Sequence, residues 1–341
     1  MTAVNLNDLD SSASLVEGLD STKGSGPDKV FRWAAFAAGL MVLVILALIT
    51  ITTAQAAWPA FSVEYFTSAQ WIPSAGEFGM LGFLWATLMI SFIGILLAVP
   101  VAVGIALFAT ELAPRRLRRS ITTVMDLLAA IPSVVFGLVG FYVLRAPAQD
   151  LFRWLGDVCA GIPILNRIFG EGSSGTSILM AGIVLSIMIL PIITSISREV
   201  FDTVPRNDKE GALALGATRS EMINGVVIPH SLGGLTGAVM LGLGRAMGET
   251  IAVTLLIGGV SNPPITIDVL SASDAMPSAI ARYLSESAGT YRSALIGLGV
   301  TLFVITMVIN VLSRKVVTVF DRRIKGAACP PPRSGRPSTS G

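Results

Sequence analysis

Charge is what this sequence has least of. Only 13% of its 341 residues are Asp, Glu, Lys or Arg, against 52% hydrophobic. An ordinary soluble domain carries about a quarter charged residues, so that class is excluded. Histidine is nearly absent: His230 stands alone, which removes a histidine-ligated metal centre within the chain. Cys159 and Cys329 are too few for a disulfide framework or a cysteine-based metal site. A nucleotide loop is missing too. The stretch from Gly170 to Ser177 has the glycines of a phosphate-binding loop, but Thr176 stands where the phosphate-holding lysine is required.

What replaces charge is length of apolar run. Trp33–Val63, Phe78–Thr110, Gly172–Ser197 and Ser293–Ser313 contain no Asp, Glu, Lys or Arg. Each is long enough to cross a ~30 Å hydrocarbon layer as a helix. A further span, Ser120–Leu144, holds Asp126 near its start, where a neighbouring arginine is in reach, and another, Leu232–Gly259, holds Arg245 and Glu249. Six spans follow, and the fold class is an all-α integral membrane protein. Ala54-Gln55-Ala56 mimics a signal-peptide cleavage site, but the preceding run is longer than a 7–15-residue signal core. It reads as the first span.

The basic residues orient the chain. Placing the N-terminus inside puts 18 of the 24 Lys and Arg on the cytoplasmic side, including Arg115, Arg116, Arg118 and Arg119, and only five outside. That asymmetry predicts cytoplasmic N- and C-termini and places the two cysteines on opposite sides. Residues 1–30 read as a disordered polar tail, 31–313 as the six-helix domain, and 314–341 as a basic, proline-rich tail. Outside, Trp58, Tyr65, Phe66 and Trp71 read as an interfacial aromatic belt. The stretch Gln149–Val158 reads as a surface helix, and Ala279–Ser287 as a short amphipathic helix packed at the surface or against a binding protein.

The costliest residue is Arg245. An arginine at the centre of a bilayer costs roughly 2.5 to 3.5 kcal/mol on insertion scales, so it needs an internal partner or a polar pathway. Glu249 lies four residues on, the spacing that puts two side chains on one helix face. Gly244 and Gly248 form a stripe against which another helix can pack closely.

Upstream lies a polar connection, residues 198–230. Pro205 suits the first turn of a helix ending near Leu215, Gly216 supplies its stop, and Thr218 with Glu221 forms a capping box for a second helix. An ordered 30-residue connection of this kind points to docking of a cytoplasmic partner.

These residues resemble a known family. Glu210, Gly211, Ala212, Gly216 and Pro229 are spaced as in the EAA loop of ABC-importer permeases, with Gly211 in place of the family's first alanine. Helix propensity makes that replacement cost about 1 kcal/mol. Together with Gly244–Thr250 (GRAMGET) and Ala129–Leu138 (AAIPSVVFGL), the chain over roughly residues 75–325 is similar to the phosphate-specific permeases of the PstC type. The resemblance implies a type I ABC importer permease fold and translocation of inorganic phosphate across the bacterial cytoplasmic membrane. It implies Arg245 and Glu249 in the central pathway, and the 198–230 loop as the ATPase-coupling element. The expected partners are a PstA-like second permease, two PstB-like ATPase subunits and a PstS-like phosphate-binding protein. No cofactor is expected on this chain, ATP being bound and hydrolysed by the ATPase, and no metal or catalytic residue is expected. The competing readings are import of a related oxyanion, a self-sufficient secondary transporter or channel, and an intramembrane enzyme. A secondary transporter wants an internal repeat or coupling-ion site, and an enzyme wants a nucleophile–base pair or metal ligands inside the spans. Neither signature is present.

Overall fold

The computed structural model describes residues 26–159, 161–170 and 175–328, and divides into two units, residues 1–55 and 56–341. The first is dominated by helix α1, Gly26–Ala57. Its apolar side chains point outward all round, Phe31, Leu40, Leu43 and Leu46 each more than half exposed. A long helix that is apolar on every side suits lipid.

In the second unit the short helix α2 (Val63–Thr67) and the hairpin β1 (Trp71–Ile72) with β2 (Glu77–Phe78) precede α3 (Leu81–Leu107), which runs on into a π-helical turn, Phe108–Leu112. The order continues with α4 (Arg115–Ala130), α5 (Ser133–Val139), a π-helical turn (Gly140–Leu144), α6 (Arg145–Cys159), α7 (Pro163–Ile168) and α8 (Ile178–Asp202). Then come α9 (Arg206–Ala214), α10 (Arg219–Met222), a π-helical turn (Ile223–Val227), α11 (Ile228–Met247), α12 (Ile251–Leu256), α13 (Met276–Tyr283) and α14 (Gly289–Ala328). Among the described residues, six helices are long and apolar enough to cross a membrane: Lys29–Ala60, Leu81–Leu112, Ser133–Cys159, Ile178–Asp202, Arg219–Met247 and Gly289–Lys315.

The centre of the second unit is α8, packed along α3 on one side and α11 on another. Ile178, Leu185, Ile189 and Ile193 of α8 are buried with Ile90 of α3 and Ala238 of α11. Small residues set the approach: a Cβ on Gly242 would meet the Ile193 side chain at 2.7 Å, and one on Gly234 would meet Val200 at 2.5 Å. The N-terminus of α8, whose first amides lack partners within the helix, is closed from outside. Ser177 N donates to Leu256 O (2.9 Å), Ile178 N to Ser271 O (3.2 Å) and Leu179 N to Val269 O (2.8 Å). The 257–275 loop is thereby tied to the bundle, and Trp85 Nε1 on α3 adds a bond to Thr266 O at 2.6 Å.

Four expectations change. The third span is Ser133–Cys159, not Ser120–Leu144. Pro132 has no amide proton and its ring crowds the preceding residue out of helical geometry, so Ile131 is extended (φ −68°, ψ 127°) and ends α4. That leaves α4 a separate amphipathic helix with no buried residue, and Asp126 on it pairs with no arginine among the described residues. The Gln149–Val158 stretch lies in α6, in one helical run with the third span rather than in a separate short helix. The aromatic belt is half core: Tyr65 and Trp71 are 1% and 2% exposed, packing with Phe83 and Leu295, while Trp58 is 75% exposed. The short outer helix starts earlier, at Met276, and its first turn is buried against α14. Residues 1–25, the middle of the Gly170–Ser177 loop, and Cys329 with the proline-rich end lie outside the described residues.

Candidate functional site

The fifth span is not one helix. α11 ends at Met247, Gly248 and Thr250 leave the helical ladder, and α12 restarts at Ile251. The expected Leu232–Gly259 helix is therefore broken between the two residues whose spacing mattered. Glu249 sits in the break, 7% exposed, its Oε1 accepting from Ala252 N at 3.4 Å. A carboxylate there faces the unpaired amides and positive dipole end of α12, which stabilises it. It lines a cavity of about 10 Å³ with Thr87, Ser91, Val253 and Pro277.

Arg245, in the last turn of α11, points elsewhere. It is exposed and lines a groove of about 690 Å³ with Gly233, Gly237, Leu241, Gly244, Asn310 and Arg314. No ion pair joins it to Glu249. The expectation of a charged pair on one helix face is corrected: one turn of spacing makes neighbours only where the helix is continuous, and Gly248 ends it. The glycine stripe also differs from expectation. A Cβ on Gly244 would meet nothing within 4 Å, and one on Gly248 would meet only Gly244 O at 3.5 Å. Among the described residues no helix packs there.

The polar connection folds as its capping signals predict. Pro205 stands at the N-cap of α9, Gly216 takes φ +88° after its end, and the Thr218–Glu221 capping box is closed in both directions. A positive φ is what glycine adopts without the Cβ penalty. Glu210, Gly211 and Gly216 are exposed, Ala212 is turned inward, and Pro229 opens α11 half-buried. Leu215 is 91% exposed.

Two ion pairs that spacing did not reveal fix this connection to the bundle. Lys209 Nζ lies 2.5 Å from Glu111 Oε1 in the π-helical turn that ends the second span, and donates also to Phe201 O at 3.3 Å. Arg118 Nη2 reaches Asp202 Oδ2 at 2.5 Å, and Arg198 donates to the Thr122 hydroxyl. Beneath α9 a small core of Ala106, Phe201, Val204, Met222 and Val227 joins the ends of α3, α8 and α11. Asn310 and Arg314 were also missed as groove residues. An asparagine in an otherwise apolar span was the available signal. Among the described residues no three His, Cys, Asp or Glu side chains gather as metal ligands would.

Comparison with known proteins places this architecture. Residues 102–326 match the model of the family described as binding-protein-dependent transport system inner membrane component. The chain is 40% identical over 301 residues to the phosphate transport system permease protein PstC of Mesorhizobium japonicum, covering 87% of this chain and 91% of the relative. It is 39% identical to PstC of Haemophilus influenzae over 85% of this chain and 93% of the relative. It is 40% identical to PstC 2 of Mycobacterium tuberculosis over 85% and 91%. Among solved structures, a bacterial alginate ABC transporter in complex with an alginate-bound periplasmic protein aligns over 87% of this chain and 96% of that chain (TM-score 0.54, 18% identity). The MetNI methionine ABC transporter, inward facing, aligns over 71% and 95% (TM-score 0.51, 14% identity). At those identities the two structures speak to fold alone, a type I ABC importer permease. With six membrane-length helices among the described residues, a family-model match across residues 102–326, about two thirds of its length, and relatives at 39–40% identity, the chain belongs to the binding-protein-dependent transport inner membrane components, among the PstC permeases.

Proposed function

We propose that this chain is one permease half of an ATP-driven importer of inorganic phosphate, with Arg245 in the translocation path. Two lines support the substrate: the relatives named for phosphate transport and an unpaired, exposed guanidinium facing a groove. The second carries the mechanism. Phosphate near neutral pH is an anion that still holds protons, and a guanidinium binds such oxygens through two parallel charge-assisted hydrogen bonds. Glu249 has a different job in this reading. Buried at the α11–α12 break, it holds the break in place and so sets where Arg245 points.

The connection carrying α9 and α10 is the ATPase-docking element, presenting Glu210, Gly211, Leu215 and Gly216 on the cytoplasmic side. A PstA-like permease supplies the second wall of the path, two PstB-like subunits bind and hydrolyse ATP, and a PstS-like protein delivers phosphate from outside. This chain itself catalyses no covalent step.

The test is reconstitution of the four-component complex. Phosphate-loaded binding protein is expected to stimulate ATP hydrolysis and phosphate uptake, sulfate-loaded protein to do neither. Arg245→Gln is expected to abolish uptake while the complex still co-purifies. Normal uptake by that variant, or equal stimulation by sulfate, would sink the reading.

A further inference from the structure

The groove that Arg245 lines contains a second guanidinium. Asn310 and Arg314 border it from α14, one helical turn apart and hence on one face. α11 and α14 are the fifth and sixth spans, so they run in opposite directions, and the end of α14 bearing Arg314 lies toward the loop-bearing start of α11. From Gly233 to Arg245, α11 advances about 18 Å at 1.5 Å per residue. The groove thus extends from Arg245 back toward the α9–α10 connection, with Arg314 at that end.

Arg314, like Arg245, has neither an ion-pair nor a hydrogen-bond partner among the described residues. A basic residue at a membrane boundary is ordinarily an orientation anchor, and an anchor would extend into the headgroup region. This one shares a groove with the central arginine, and the wall between them carries no side chains at Gly237 and Gly244, where an added Cβ would meet open space. We propose that Arg314, with Asn310, forms a second oxyanion station in the path, receiving phosphate from Arg245 before it leaves on the side of the ATPase-docking connection. The inference rests on Arg245 lying in that path. Asn310 suits the role chemically: its amide N–H donates to a phosphate oxygen and its carbonyl accepts from a phosphate hydroxyl.

The experiment compares Arg245→Gln, Arg314→Gln and Arg314→Lys in the reconstituted complex, with radiolabelled phosphate uptake and co-purification of all subunits as readouts. Arg245→Gln should be inactive. Arg314→Gln should assemble normally and take up phosphate about tenfold more slowly, the loss expected for one charge-assisted bond. Arg314→Lys should recover most of that rate. In an Asn310→Cys protein, modification of the thiol by a charged reagent should slow when phosphate is being transported. Wild-type uptake by Arg314→Gln beside an inactive Arg245→Gln would overturn the second station and leave the pathway reading standing. Normal uptake by both would overturn both. Failure of Arg314→Gln to assemble with the second permease would make the groove an interface and overturn the station, and modification of Asn310→Cys that phosphate does not slow would overturn it as well.

Discussion

At the scale of single residues, the costs are concentrated in buried polar groups. Glu249 accepts a long 3.4 Å bond from a backbone amide at the start of α12, and losing one such hydrogen bond costs about 1 kcal/mol. Glu249→Ala is therefore expected to loosen the break and lower uptake more than Glu249→Gln, which keeps a capping oxygen; equal rates for the two would remove the capping role. Asp274, in the outer loop, is fully buried, with Oδ1 accepting from Ala275 N at 3.0 Å and Arg282 Nε 3.8 Å from Oδ2. Burial outweighs these partners and pushes its carboxyl above the ordinary value of 3.8. With the folded pKa raised, its contribution to stability is present in acid and lost as pH rises from that ordinary value through the raised one. Asp274→Asn stays neutral throughout. Its melting temperature relative to the parent should rise as pH climbs above the ordinary carboxylate value of 3.8, and a falling difference in thermal-shift measurements would reverse the assignment.

Among the elements, the joint between α9 and the end of the second span stands out. Lys209 and Glu111 have side chains only 17% and 9% exposed. Removing one partner of a buried pair leaves an uncompensated charge, at about 3 to 5 kcal/mol. The pair ties α9 to the turn that ends α3, whereas the chain itself continues into α11. If α9 docks the ATPase as proposed, a stroke it receives has two routes into the bundle, one covalent and one ionic. Lys209→Ala and Glu111→Ala should each lower the melting temperature and the phosphate imported per ATP hydrolysed. Exchanging the charges, Lys209→Glu with Glu111→Lys, should restore part of both. A double-mutant cycle with no coupling between the two positions would show that the pair transmits nothing.

For the whole molecule, the consequence is incompleteness. The groove is lined by residues of α11 and α14, and an added Cβ on Gly237 or Gly244 would meet open space. The proposed function sets a second permease against that face. In proteoliposomes this chain alone, or with the ATPase but no second permease, should import no phosphate above the leak seen with empty liposomes. Phosphate uptake by the chain alone would revive the self-sufficient transporter and remove the need for the docking connection.

What the sequence determined by itself was local in its physics. Apolar runs set the number of spans because backbone amides in lipid must bond within a helix. Gly216, Pro205, Thr218 and Glu221 marked the helices of the 198–230 connection because capping depends only on neighbours along the chain. Pro132 likewise carried its own signal, a missing amide proton, although its consequence for the third span emerged only in the structure. What tertiary structure decided was everything that depends on which surfaces meet. It separated Glu249 from Arg245 by ending α11 at Gly248, drew Tyr65 and Trp71 from a supposed belt into a core, and joined Lys209 to Glu111, 98 residues away. It also set Asn310 and Arg314 beside Arg245 in one groove. Charges so far apart along the chain have no periodicity to announce them; only packing of the helices brings them together.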